Sequence, residues 1–174
     1  MFGERAIGET PATNPKTLAT RNLEVSLSEL TGQRGKDFYR VILAVDRIDG
    51  KSIYTRFNGY NALKEHVMRV IRKRSQKIES IMYVDTKDKW RLQVSTMAIL
   101  NRNTEVSVRK RVRAHIEKML AESAAKSNID DFVRSVVTAN LQRSIKKSGT
   151  KIYPVRFCEV SKIEVKSVPS AKSE

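Results

Sequence analysis

The stretch from Lys77 to Leu100, KIESIMYVDTKDKWRLQVSTMAIL, decides how this chain folds. Two runs rich in β-forming residues, KIESIMYV and WRLQVSTMAIL, are separated by the polar turn DTKDK, which is the pattern of a β-hairpin. Upstream, DFYRVILAV (from Asp37) and SIYTRF (from Ser52) are β-branched and aromatic, and the Asp49-Gly50 pair between them is a hairpin signal. LEVSLSEL, from Leu23 to Leu30, alternates apolar with polar residues as a half-buried strand does. KIYPVRFCEV, from Lys151, reads as a last strand in which Pro154 favours an edge position.

Three segments between these runs repeat at the helical period instead. The first covers residues 60–74, with Leu63, Val67, Val70 and Ile71 on one side. The second runs from about Thr104 to Ala125, with Val108, Val112, Ile116, Met119 and Leu120 as its stripe. In the third, Ile129, Phe132, Val133, Val136, Val137, Leu141 and Ile145 line up; Asn128 suits its N-cap, Asp130 and Asp131 its first turn, and Gly149 its stop. Hairpin-linked strands with segregated helices predict an α+β fold, an antiparallel β-barrel-like core with flanking α-helices and extended termini. The expected organisation is an extended N-terminal arm over residues 1–20, a single α+β domain over 21–166, and a disordered tail over 167–174.

Charge is the outlier of the composition. The 174 residues hold 34 Lys and Arg against 19 Asp and Glu, a net charge of +15. Self-repulsion of that size opposes a compact state unless an anionic partner offsets it, and nucleic acid is the commonest such partner. The cations are clustered. Arg69, Arg72, Lys73, Arg74 and Lys77 fall at and beyond the end of the first helical segment. Arg102, Arg109, Lys110, Arg111 and Arg113 crowd the start of the second, where the helix dipole disfavours positive charge by a few tenths of a kcal/mol per residue, on the order of 0.3–1 kcal/mol. Lys146, Lys147, Lys151 and Arg156 form a third group, beside Arg143. A helix that accepts cations against its dipole is expected to meet an anion there. Tyr39, Tyr54, Phe57, Tyr60 and Trp90 are the aromatics available for base stacking, but strand aromatics are more often core, so phosphate and shape contacts are favoured over base readout.

Signals for other classes are weak. No run of 18 apolar residues exists to make a transmembrane helix, and no membrane partner is expected. The N-terminus lacks the apolar core of a secretory signal, and a single cysteine, Cys158, fits a reducing, cytoplasmic setting and a buried strand position. Two histidines and one cysteine do not make an ordinary structural zinc site, no phosphate-binding glycine loop is present, and no cofactor or metal is expected. DTK at Asp85–Lys87 and EVK at Glu164–Lys166 match a short element of metal-dependent nucleases, a pattern that arises easily by chance in so charged a chain. A nuclease using Asp85 or Glu164 is therefore the alternative reading, together with a free-standing RNA chaperone.

Four stretches at ordered spacing carry a more specific resemblance: FGERAIGETPA (from Phe2), LEVSLSELTG, TRFNGYNALKEHVMRVIRKRSQKIESIMYVDTKD (from Thr55) and KIYPVRFCEV. Together they resemble the small-subunit ribosomal protein family S-three-a-e (e-S-one) of archaea and eukaryotes, in its archaeal form, over residues 2–166. The short basic and aromatic segment that usually precedes FGE in that family has no counterpart in these residues. The resemblance implies a β-barrel-like core with flanking helices, bound to small-subunit rRNA on the platform near the mRNA exit region, in a cytoplasmic ribosome. It also implies neighbouring ribosomal proteins as partners, with mRNA and initiation factors as further ones, and a structural rather than enzymatic role. Which residues touch RNA is read from charge and helical position: the fourteen Lys and Arg of the three groups, Arg143 apart.

Overall fold

The computed structural model describes residues 6–11, 18, 20–50 and 52–169. Residues 1–5, 12–17 and 19 of the expected arm and 170–174 of the expected tail lie outside the described residues. The chain divides into two compact units, one up to Leu63 and one from Lys64 onward.

The first unit contains β1 (Asn22–Ser26), α1 (Leu27–Thr31), β2 (Tyr39–Asp49) and β3 (Ser52–Ala62). β1 pairs antiparallel with β2, placing Val25 opposite Val41, and β2 pairs antiparallel with β3 through a turn at Gly50. Gly50 takes the left-handed φ of +56° that such a turn requires and that a side chain would resist. The alternation of LEVSLSEL holds only as far as Ser26. There Ser26 Oγ accepts the Ser28 amide at 3.2 Å, and Gly32 closes the turn at φ +69°, so Leu27–Thr31 coils instead of extending. A capping serine and a C-terminal glycine six residues apart outweigh the alternating pattern. Val25, Leu27, Leu30, Val41, Leu43, Phe57 and Tyr60 are buried, and Tyr60 stacks on Tyr39 with ring centres 5.8 Å apart.

The second unit contains α2 (Lys64–Arg69), β4 (Gln76–Asp85), β5 (Arg91–Leu100), α3 (Val106–Lys126), α4 (Ile129–Val137), α5 (Asn140–Gly149) and β6 (Val155–Ser167). The Lys77–Leu100 hairpin forms as its pattern predicts, with β4 and β5 in unbroken antiparallel register from Gln76↔Leu100 to Asp85↔Arg91. β6 pairs on the other side of β5, from Leu100↔Val155 to Arg91↔Ser167. Leu92, Val94, Ala98 and Leu100 are fully buried on β5, and α3 and α5 cover the strands with Val112, Ile116, Leu120, Leu141 and Ile145. Fully burying side chains of this size stabilises by roughly 1.5–3 kcal/mol each. The α+β class, antiparallel strands and flanking helices are as expected. Among the described residues, neither of these three-stranded ladders closes on itself as a barrel, since closure needs more strands to complete the turn.

Two helices depart from the periodicity. The first spans only Lys64–Arg69, because residues 60–62 belong to β3 and the chain turns out of the helix after Val70. The third is two helices. Thr138 Oγ1 donates to the Arg134 carbonyl at 2.9 Å, Ala139 takes the left-handed conformation at φ +60°, and Gln142 Nε2 bonds the Val136 carbonyl at 2.9 Å. A threonine that hydrogen-bonds back to the preceding turn competes with helix continuation. Asn128 occupies the N-cap of α4 without a side-chain bond; the carboxylate of Asp88, from the β4–β5 turn, accepts the Ile129 amide at 3.3 Å instead.

Candidate nucleic-acid interface

The register of β4, β5 and β6 puts Gln76, Leu100 and Val155 in one row across the sheet. Three connections therefore emerge at the same end of the second unit: Val70–Ser75 before β4, Asn101–Glu105 after β5, and Thr150–Pro154 before β6. The Asn101 amide donates to the Pro154 carbonyl at 3.3 Å and ties two of them together. Each connection is basic: Arg72, Lys73 and Arg74 in the first, Arg102 in the second, Lys151 in the third. α3 starts at this end, which brings Arg109, Lys110, Arg111 and Arg113, and α5 finishes here with Lys146 and Lys147 in its last turn. His115 Nε2 and Ser148 Oγ lie 2.9 Å apart, holding the middle of α3 against the end of α5. Lys77 and Arg156 are the second residues of their strands, and Arg69 ends α2. All fourteen expected cations thus sit in one unit, most of them around one end of one sheet.

The Arg72–Arg74 cluster is not the helix end its periodicity suggests. Ser75 Oγ donates to the Arg72 carbonyl and accepts the Arg72 amide at 3.2 Å, while Arg74 adopts a left-handed φ of +66°. The three side chains stand exposed on a pinned turn rather than in a helical row. On α3, Lys110, Arg111 and Arg113 are exposed and Arg109 is half-buried, with its Nε shielded from solvent and without a hydrogen-bond partner among the described residues. The start of α3 has no acidic residue in its first turn, and the N-cap residue Glu105 makes no capping bond to a backbone amide, its carboxylate accepting the Ser107 hydroxyl at 3.4 Å. Uncapped amides and cations at one helix end combine two features that favour an anion.

Ion pairing separates this end from the rest of the second unit. Among the described residues, Arg72, Lys73, Arg74, Arg102, Lys110, Arg111, Arg113, Lys146, Lys147, Lys151 and Arg156 make no ion pair. The strands instead carry Lys77–Glu79, Arg91–Asp85 at 3.9 Å, Lys162–Glu164 and Lys166–Glu164 at 2.6 Å. Two unpaired like charges about 10 Å apart in water repel by roughly 0.4 kcal/mol before screening, so these eleven held in one unit favour any bound polyanion.

The remaining candidates lie elsewhere in the two units. Asp85 and Glu164 stand on the strands either side of β5, each engaged by cations, and hydrogen bonds from Lys162 and then Lys166 hold the Glu164 carboxyl below its ordinary pKa. Among the described residues no cluster of three or more His, Cys, Asp or Glu could hold a metal ion, and no helix is long and apolar enough to cross a membrane. Cys158 is buried in β6, and burial pushes its thiol pKa up to about 12. Of the candidate stacking aromatics, Tyr60 and Phe57 are core, whereas Tyr54 is exposed beneath the guanidinium of Arg47 at 4.5 Å. Tyr83, which the composition of its strand did not single out, is one of the more exposed aromatics. It shares strand parity with Lys77, Glu79 and Asp85, and that row of charged neighbours is the signal that its face is wet.

The model of the Ribosomal S3Ae family matches residues 1–169. The small ribosomal subunit protein eS1 of Methanothermobacter thermautotrophicus is 32% identical over 98% of this chain and 87% of its own length. Those of Aeropyrum pernix and Methanopyrus kandleri are 31% and 29% identical over 97% and 98% of this chain, and 81% and 82% of their own lengths. A match along nearly the whole length, through both units and every strand described above, places this chain in the Ribosomal S3Ae family.

Proposed function

We propose that this chain is a structural constituent of the small ribosomal subunit, held to rRNA by Lys and Arg contacts to phosphates at the basic end of its second unit. The observation that carries the proposal is the convergence there of three loops and two helix ends whose cations, among the described residues, have no carboxylate partners. Membership in a ribosomal protein family, with relatives named as small-subunit proteins, supports the same reading. Contacts of this kind fix position and orientation on RNA and draw their affinity from counterion release rather than from base identity. The sheet and its helices supply the rigid frame, and no step of chemistry is asked of them. The family resemblance supports a place on the platform near the mRNA exit region, in the cytoplasm, with neighbouring ribosomal proteins, mRNA and initiation factors within reach.

Crosslinking in cells followed by sequencing of the attached RNA tests the assignment. Small-subunit rRNA should dominate, and crosslinks should centre on the basic end. Sedimentation offers an independent check: a protein found only in light fractions and never with small subunits is an RNA chaperone, not a ribosomal constituent. Replacing Arg109, Lys110 and Arg111 together with Ala should lower the slope of log K against log salt by roughly two to three for rRNA. An unchanged slope would mean that those side chains merely face solvent.

A further inference from the structure

A second surface of the same unit has the opposite character. β4 is the outer strand of the ladder β6-β5-β4. Among the described residues, none from Gln76 to Asp85 makes a backbone hydrogen bond beyond that ladder. In an antiparallel pair every second residue turns both its N–H and its C=O away from the partner, so ten residues leave about five such pairs facing outward. Proteins usually protect a free edge with proline, a bulge or a central lysine. β4 has no proline, its register with β5 has no shift although β5–β6 has three, and its one lysine, Lys77, is near the end of the strand. On the face away from α3, Ile81 is 65% exposed and Tyr83 58% exposed, a large apolar pair on an unprotected edge.

The charges around this pair choose the occupant. Glu79 and Asp85 flank Ile81 and Tyr83 on the same face, and the nearby cations are already engaged: Lys77 by Glu79, Arg91 by Asp85 and over the Tyr83 ring at 5.7 Å, and Lys162 and Lys166 by Glu164. An RNA phosphate would meet carboxylates there, and a second copy of this chain would bring another +15 of charge. We infer that the β4 edge docks an extended segment of a neighbouring protein. That segment adds a strand by backbone pairing and presents two apolar residues at i and i+2 flanked at i−2 and i+4 by Lys or Arg. Its apolar pair covers Ile81 and Tyr83, and its cations meet Glu79 and Asp85. The exposed pairs Lys77–Glu79 and Arg91–Asp85 are weak and exchange partners readily. The inference uses none of the fourteen cations except Lys77 and stands apart from the RNA reading.

The probe is the capped peptide Lys-Thr-Val-Thr-Val-Thr-Lys added at millimolar concentration to the full chain labelled with nitrogen-15. Alternate amides between Gln76 and Asp85 should shift and exchange with solvent at least about fivefold more slowly. The same peptide N-methylated on its pairing edge should have no effect, and I81T/Y83T should abolish the response while leaving the spectrum of the fold and the salt slope for rRNA intact. The inference is overturned if β4 amides are not protected at saturating solubility of the peptide, or if the N-methylated peptide works equally well. It is also overturned if oligouridylate, rather than peptide, shifts the β4 face, or if β4 is already protected in a peptide-independent dimer.

Discussion

Removing the three cations of the pinned turn, R72A/K73A/R74A, measures what the convergence of the basic loops contributes. Each phosphate contact releases about 0.9 counterion on a B-form duplex and about 0.7 on single strands, so three lost contacts lower the salt slope by roughly 2 to 3. At about 0.15 M salt each released counterion corresponds to roughly 1 kcal/mol, so affinity should fall on the order of a hundredfold. The assay is fluorescence anisotropy of a labelled small-subunit rRNA fragment, titrated at several salt concentrations. Two controls separate charge from geometry. R91A removes a cation paired with Asp85 at the opposite end of the hairpin and should leave the slope unchanged. S75A keeps every charge and the Ser75 amide bond to the Arg72 carbonyl at 3.1 Å but removes both side-chain hydrogen bonds of the turn, so affinity should fall modestly at constant slope. A triple variant with the wild-type slope, or R91A with an equal drop, refutes the localisation of the interface.

Three further predictions concern the scaffold and its titrating groups. Ala139 sits at φ +60°, which costs a non-glycine residue about 1–2 kcal/mol, so A139G should stabilise by a net of about 0.5–1 kcal/mol and raise the urea midpoint; a lowered midpoint would contradict the strain argument. With its pKa near 12, the Cys158 thiol holds about one thiolate in ten thousand at pH 8, so it should react with a thiol reagent only as fast as the chain unfolds, and rapid labelling of the native protein refutes its burial. Glu164 has a lowered folded-state pKa, so its contribution is present above the ordinary value of 4.5 and is lost as pH falls through the lower folded value. The difference in urea midpoint between the wild type and E164Q should accordingly shrink as pH falls from 6 to 3; being exposed, the pair should contribute little, and a difference that grows toward acid contradicts the assignment.

Much of the fold was legible because strand and helix periods are local. The hairpin around Thr86–Trp90, the Gly50 turn and the buried stripe of α3 all follow from residues close in sequence. The misreadings share one cause, short-range hydrogen bonding that a hydrophobic period does not register. Ser26 and Gly32 coil the end of an alternating run, Thr138 breaks an otherwise continuous helical stripe, and Ser75 converts a basic helix end into a turn. The cap of α4 could not be read locally at all, since Asp88 reaches Ile129 from 41 residues away.

The candidate site divides in the same way. Composition and clustering alone established that the chain is strongly basic and that α3 carries its cations against its dipole, while four specific stretches in order carried the resemblance to one ribosomal protein family. Sequence spacing could not say that Arg74, Arg102 and Lys151 stand at one end of one sheet, because strand register alone brings them there. Nor could it say which charges are quenched. Lys77, Arg91, Lys162 and Lys166 find carboxylates across or along strands, whereas among the described residues Arg72, Lys73, Arg74, Arg102, Lys110, Arg111, Arg113, Lys146, Lys147 and Lys151 make no ion pair. Charge is a property of the sequence, but whether a charge remains available to a partner depends on distances of a few ångströms, and only the tertiary structure sets those.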